Sequence, residues 1–147
     1  LRTEGVEPVA LETALSGSDV LFLLAGVTSD NEGFLGRPLL ETIRADATVV
    51  LASRAEIVDF DDFLSLAGAG AFRAAVDVYP EEPVPEGSRI RTTPKVLFSA
   101  HLAGGLDASY ARIRDIMLDD IGQILKGLPP LRMQKADPKL AAKMRSR

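Results

Sequence analysis

The sequence predicts an α/β protein: a doubly wound parallel sheet followed by one long helix at the carboxyl end. Three observations carry this. Four short apolar runs, DVLFLLA, ATVVLAS, FRAAVDVY and KVLFSA, recur along the chain. Continuous apolar runs mark strands buried on both faces rather than the alternating strands of a one-sided sheet. Segments of helical character separate the runs, and strands alternating with helices imply crossover connections and parallel pairing.

The elements follow in order. Ala10–Ser18 reads as a short helix ending at Gly17. Asp19–Ala25 is the first strand, and GVTSDNEGFLG after it is a loop rich in turn formers. RPLLETIRAD suits a helix, because Pro38 is tolerated in a first turn. ATVVLAS is the second strand. DFDDFLSLAGAG is a helix with Asp59 as its N-cap, stopped by Gly68 and Gly70. FRAAVDVY is the third strand, EEPVPEGSRIRTTP a proline-punctuated loop, and KVLFSA the fourth strand. In LDASYARIRDIMLDDIGQILKG, Ile113, Ile116, Met117, Ile121, Ile124 and Leu125 recur at three- and four-residue spacing, giving a helix with one apolar face. The last stretch is broken by prolines and then basic through Lys135, Lys139, Lys143, Arg145 and Arg147, which reads as a solvated tail.

Composition narrows the functional classes. The 147 residues suffice for one domain with a core. A net charge of −4 argues against a general attraction to nucleic acid. With no Cys there is neither a disulfide frame nor thiolate chemistry, which suits a cytoplasmic protein. No apolar run approaches the ~20 residues of a membrane span, so no membrane partner is expected. The start, LRTEGVEPVALE, has no apolar signal-peptide core and no initiator Met, and it reads as the interior of a longer chain. No metal site is expected.

Chemistry concentrates at the strand ends. The second strand runs into Arg54, the third into Asp77 with Glu81 and Glu82 close behind, and the fourth into His101, the only histidine. Parallel strands bring these tips to one sheet edge, where α/β proteins bind ligands. Each residue alone has an ordinary structural reading, as a surface cation, a turn cap, a solvated acid or a satisfied histidine. Together they form the constellation an active site needs. His transfers protons near neutral pH, a carboxylate partner favours imidazolium and fixes its tautomer, and Arg clamps a substrate carboxylate in bidentate fashion.

From about Glu7 to Pro130 the chain resembles the NAD-dependent D-isomer-specific 2-hydroxyacid dehydrogenases. SDVLFLLAGVTSDNEGFLG resembles the segment around the family's fourth strand, and VVLASRAEIVDFDDF the strand and turn that carry its catalytic Arg. RAAVDVYPEEPVP resembles its A-x-D-V-F-x-x-E-P element, and PKVLFSAHLAGGLDAS its P-x-V-x-x-x-P-H-x-A-G-x-T element. The resemblance implies a Rossmann-type NAD-binding domain and hydride transfer between NAD(H) and a 2-hydroxy or 2-keto acid, with NADP not excluded. It implies Arg54 on the substrate carboxylate and carbonyl, His101 as acid/base and Glu82 hydrogen-bonded to it. Asp77 would face the nicotinamide carboxamide, and Ala52, Ser53, Leu102, Ala103 and Gly104 would line the nicotinamide side. It further implies a homodimer for the complete enzyme.

The chain departs from the family pattern in two ways. Leu51-Ala52 replace the usual Asn-Thr, Ala55 the Gly after the Arg, Leu24-Ala25-Gly26 a His-x-Pro, and Ala100 the Pro before the His. No G-x-G-x-x-G occurs: LAGAGAF has the wrong spacing and follows a helix. The first βαβ unit, with its phosphate-binding turn, is therefore expected to be missing, as in a carboxy-terminal fragment. Residues 1–127 would be a partial NAD-binding domain, and 128–147 a tail returning to the substrate domain. A non-catalytic binding or dimerisation module on the same fold is the alternative. Joint retention of Arg54, Glu82 and His101 favours the enzyme. Glu82 also argues against the formate dehydrogenase branch, which places Gln there.

Overall fold

The computed structural model describes residues 5–144. Arg145 and Arg147 of the basic tail, and the first four residues of the amino-terminal segment, lie outside them. The elements are α1 (Leu11–Gly17), β1 (Val20–Leu23), α2 (Arg37–Leu40), β2 (Thr48–Leu51), α3 (Phe60–Ala69), β3 (Arg73–Val76), β4 (Val96–Phe98), α4 (Asp107–Leu125) and α5 (Pro138–Lys143). Short 3₁₀ turns occupy Ala55–Ile57 and Arg89–Thr92. The four strands pair in the order β1-β2-β3-β4, all parallel.

That order decides how the sheet is covered. Right-handed crossovers that all step in one direction lay their helices on one face, and the other face is covered only where the strand order reverses. Leu21, Val49, Leu51, Ala74 and Val76 point into a core closed by Leu15 of α1, Leu40 of α2, and Phe63 and Ala67 of α3. Phe63 and Phe72 meet with ring centroids 5.4 Å apart. On the opposite face, Phe22, Val50, Ala75 and Leu97 stand side by side in register. Phe22 is 63% exposed and Leu97 71%. The sequence expectation that Asp19–Ala25 is covered on both faces therefore fails: Val20, Phe22 and Leu24 are open to solvent.

Most helix signals work as read. The Asp59 side chain accepts from the Asp62 N–H at 3.0 Å, capping α3. Gly70 ends α3 with φ +88°, a conformation that costs a glycine least, while Ala71 N–H bonds to Leu66 O and Gly70 N–H to Ala67 O. Gly68 does not stop the helix. It sits inside it because a Cβ there would meet Thr93 Cγ2 at 3.0 Å. α2 is one turn, not ten residues. The Thr42 hydroxyl takes Leu39 O at 2.7 Å, and Thr42 and Ile43 are β-branched, so the chain tightens into turns before β2.

α4 is as long as its pattern predicts, but most of its apolar stripe is exposed: Ile113, Met117, Ile121, Ile124 and Leu125 face solvent and only Ile116 is half-buried. Its one buried residue is Asp120. That carboxylate accepts from the backbone N–H groups of Leu131 (2.7 Å), Arg132 (3.3 Å) and Met133 (2.6 Å), pinning the returning chain to the helix. Burial pushes the Asp120 carboxyl up, but the N–H groups outweigh it and hold it below the usual range. The tail is exposed yet not loose. It forms α5, and Met144 bridges to Thr28 while Ser29 N–H donates to Lys143 O at 3.1 Å.

Candidate active site

The site begins where the sheet ladder runs out. β2 stops at Leu51, leaving Ala52 and Ser53 half-buried and Arg54 exposed. The buried Ala55 and Ile57 then anchor the following 3₁₀ turn, so the Arg54 side chain is carried on a fixed tip. Its Nη1 donates to Ser53 O at 2.7 Å, and among the described residues it makes no ion pair. At the next tip, Asp77 N–H extends the ladder to Leu51 O at 3.0 Å. Beyond it Tyr79 N–H donates to Glu82 Oε1 at 3.0 Å, folding the turn so that Glu82 points back at the sheet. At the last tip Ser99 N–H reaches Val76 O at 2.9 Å, and two residues on His101 adopts φ +55°.

His101 Nδ1 lies 2.7 Å from Glu82 Oε2 and 2.9 Å from Oε1. The His101 hydrogen bond holds the Glu82 carboxyl below the usual glutamate range. Burial opposes this, and the Tyr79 N–H and the charges of His101 and Arg54 reinforce it. With Nδ1 engaged, Nε2 is the ring nitrogen left for other chemistry. Arg54, Glu82 and His101 line one cleft of about 410 Å³, together with Tyr79 and Glu81. This arrangement can hold an anionic group on Arg54 and move a proton at His101.

A family model for the D-isomer specific 2-hydroxyacid dehydrogenase, NAD binding domain, matches residues 1–103. The chain belongs to this family. It is 30% identical over 126 residues to a D-3-phosphoglycerate dehydrogenase of Archaeoglobus fulgidus, covering 85% of this chain and 24% of that one. To a glyoxylate reductase of Korarchaeum cryptofilum it is 26% identical, over 86% of this chain and 39% of that one. Among solved structures, a phosphoglycerate oxidoreductase from Rhizobium etli superposes with a TM-score of 0.79 at 41% identity, over 90% of this chain and 40% of that one. A family member from Xanthobacter autotrophicus Py2, in complex with NADPH and MES, superposes with a TM-score of 0.73 at 25% identity, over 88% of this chain and 41% of that one. The chain thus spans about a quarter to two-fifths of the length of these relatives.

Of the other residues singled out in this dehydrogenase-family chain, Asp77 is buried at 7% exposure and fully engaged. It accepts from the Ser99 hydroxyl, from Leu102 N–H at 3.1 Å and from Ala103 N–H at 2.9 Å. Burial pushes its carboxyl up, but these donors and the nearby His101 charge outweigh burial and hold it low. Leu102, Ala103 and Gly104 form the exposed loop above it. Ser53 Oγ is the one buried side-chain polar atom without a hydrogen-bond partner among the described residues. Sequence reasoning missed Tyr79 and Ser99. The Tyr79 hydroxyl bonds to Ser99 O and, at 3.3 Å, to Val76 O. Period-two counting outward from Asp77 and His101 would have flagged both, since each sits two residues away on the same tip.

Proposed function

We propose that the chain is the catalytic part of an oxidoreductase that interconverts a 2-hydroxy acid and a 2-keto acid with a nicotinamide cofactor. The observation that carries this is the His101–Glu82 pair facing the same cleft as Arg54. Arg54 binds the substrate carboxylate and orients the reacting carbonyl. His101 Nε2 gives a proton to the carbonyl oxygen during reduction and takes it back during oxidation. Glu82, its carboxyl held low chiefly by the His101 hydrogen bond, fixes the imidazole orientation. The cofactor supplies or accepts the hydride when bound. The orphaned Ser53 Oγ at the β2 tip fits a polar group of its nicotinamide end. Ala52, Asp77, Leu102, Ala103 and Gly104 complete that side in this reading. NAD is the cofactor proposed, with NADP allowed, and a cytoplasmic homodimer the setting. Residues 1–127 would be part of the NAD-binding domain, and 128–147 the link to a substrate domain.

The test is a chimera in which this chain replaces its counterpart in the Rhizobium etli relative. It should reduce 2-keto acids such as glyoxylate or hydroxypyruvate with NADH, and His101→Ala should lower the rate about 10²–10⁴-fold. A chimera whose His101→Ala variant keeps the parent rate removes His101 from the reaction.

A further inference from the structure

We propose that Tyr79, Ser99 and Asp77 form a clamp that positions His101, making Tyr79 and Ser99 positioning residues for the proton-transfer group. The catalytic meaning of the clamp rests on the reading of His101 given above, while its existence rests on geometry alone. His101 is in the left-handed region at φ +55°, which a residue with a Cβ adopts only when its surroundings hold it there. The surroundings do so from both flanks. Upstream, Ser99 is fixed at two atoms: its hydroxyl on Asp77 and its carbonyl under the Tyr79 hydroxyl. Downstream, the Leu102 and Ala103 N–H groups close on the same Asp77 carboxylate. His101 is thus suspended between two segments tied to one buried anion.

The same tyrosine also sets the partner. Its backbone N–H holds Glu82 Oε1, and its ring packs on Phe98 with centroids 6.3 Å apart. Tyr79 therefore couples the turn that carries Glu82 to the strand end that carries His101. The Tyr79 hydroxyl on Ser99 O is the side-chain hydrogen bond in this coupling. Without it the two tips keep the Asp77 contacts and the His101–Glu82 contact, the latter more than a third exposed on both sides.

The chain offers a direct readout, because His101 is its only histidine. With Nδ1–H donating to Glu82, the neutral ring is the Nδ1–H tautomer, whereas an untethered imidazole in water favours Nε2–H. Nitrogen-15 shifts of the His101 ring, recorded at alkaline pH on the full 147-residue chain, separate the two. The parent chain should show Nδ1–H as the main form. Tyr79→Phe and Ser99→Ala should each shift the ring to mainly Nε2–H, while Ser99→Thr, which keeps the hydroxyl, should restore Nδ1–H. Tyr79→Phe removes a single oxygen from a half-buried ring, so it carries the test if Ser99→Ala fails to fold. Folded Tyr79→Phe with an unchanged Nδ1–H population overturns the clamp, as does a parent chain in the Nε2–H form. None of these outcomes depends on turnover. Loss of activity in the chimera with the tautomer intact would count against the catalytic reading and leave the clamp standing.

Discussion

The Glu82 carboxylate shows how one side chain ties structure to pH. Its carboxyl is held below the ordinary value of 4.5, chiefly by the His101 hydrogen bond. A group with a depressed folded-state pKa contributes stability that is fully present above its unfolded value and is lost as pH falls through the folded one. The pair should therefore support the fold above about pH 4.5 and stop doing so in more acidic solution. Urea midpoints of the parent chain and Glu82→Gln, compared across that range, should converge as the pH drops. A gap that stays constant down to the lowest pH would mean that Glu82 ionisation contributes nothing. Asp77 shares the direction, so the parent chain should keep losing stability on acidification even without Glu82.

Single elements depend on equally local chemistry. α4 has no buried apolar side chain, so the buried Asp120 is what ties the returning chain to it. Asp120→Ala leaves the Leu131, Arg132 and Met133 N–H groups without their acceptor. Amide exchange should accelerate at Leu131 and Met133 and stay unchanged in the β-strands. Unchanged protection at both would show that the tail is held by α5 instead. In α3, Phe63→Ala removes a side chain with 0% exposure that packs on Phe72, and should cost roughly 3–5 kcal/mol in denaturant unfolding. For β1 the outer rim pairs with no strand among the described residues, and its Phe22 is bare. An apolar strand edge without Lys or Pro is a template for pairing with another chain. Self-association through Val20–Leu24 follows, and Phe22→Lys should reduce it. Phe22 is the residue to change because its neighbour Leu23 packs against the core. Sedimentation of the unmodified chain as a clean monomer at high concentration would refute the edge as a contact.

At the scale of the molecule, the proposed catalytic groups and the anchoring of a cofactor separate. Arg54, Glu82 and His101 meet in one cleft, yet no G-x-G-x-x-G string occurs in the 147 residues. Positioning of the cofactor supplies much of a hydride-transfer enzyme's rate. The chain by itself should therefore not oxidise NADH with a 2-keto acid at a useful rate, and saturable turnover by the purified chain would contradict this. The sequence by itself determined the parallel α/β order, the cap at Asp59, the stop at Gly70 and the meeting of three strand tips. All of these follow from local rules: period, capping chemistry and the edge-sharing of parallel strands. The tertiary structure alone decided which sheet face is covered, because burial on a second face depends on where the strand order reverses, and an apolar run does not record that. It alone decided that most of the α4 stripe is exposed among the described residues, since periodicity names a face but not what lies against it. It also decided that Asp77 is a buried anion gripping the His101 loop, because the donors come from residues 22 to 26 positions away and only the pairing of β3 with β4 brings them together.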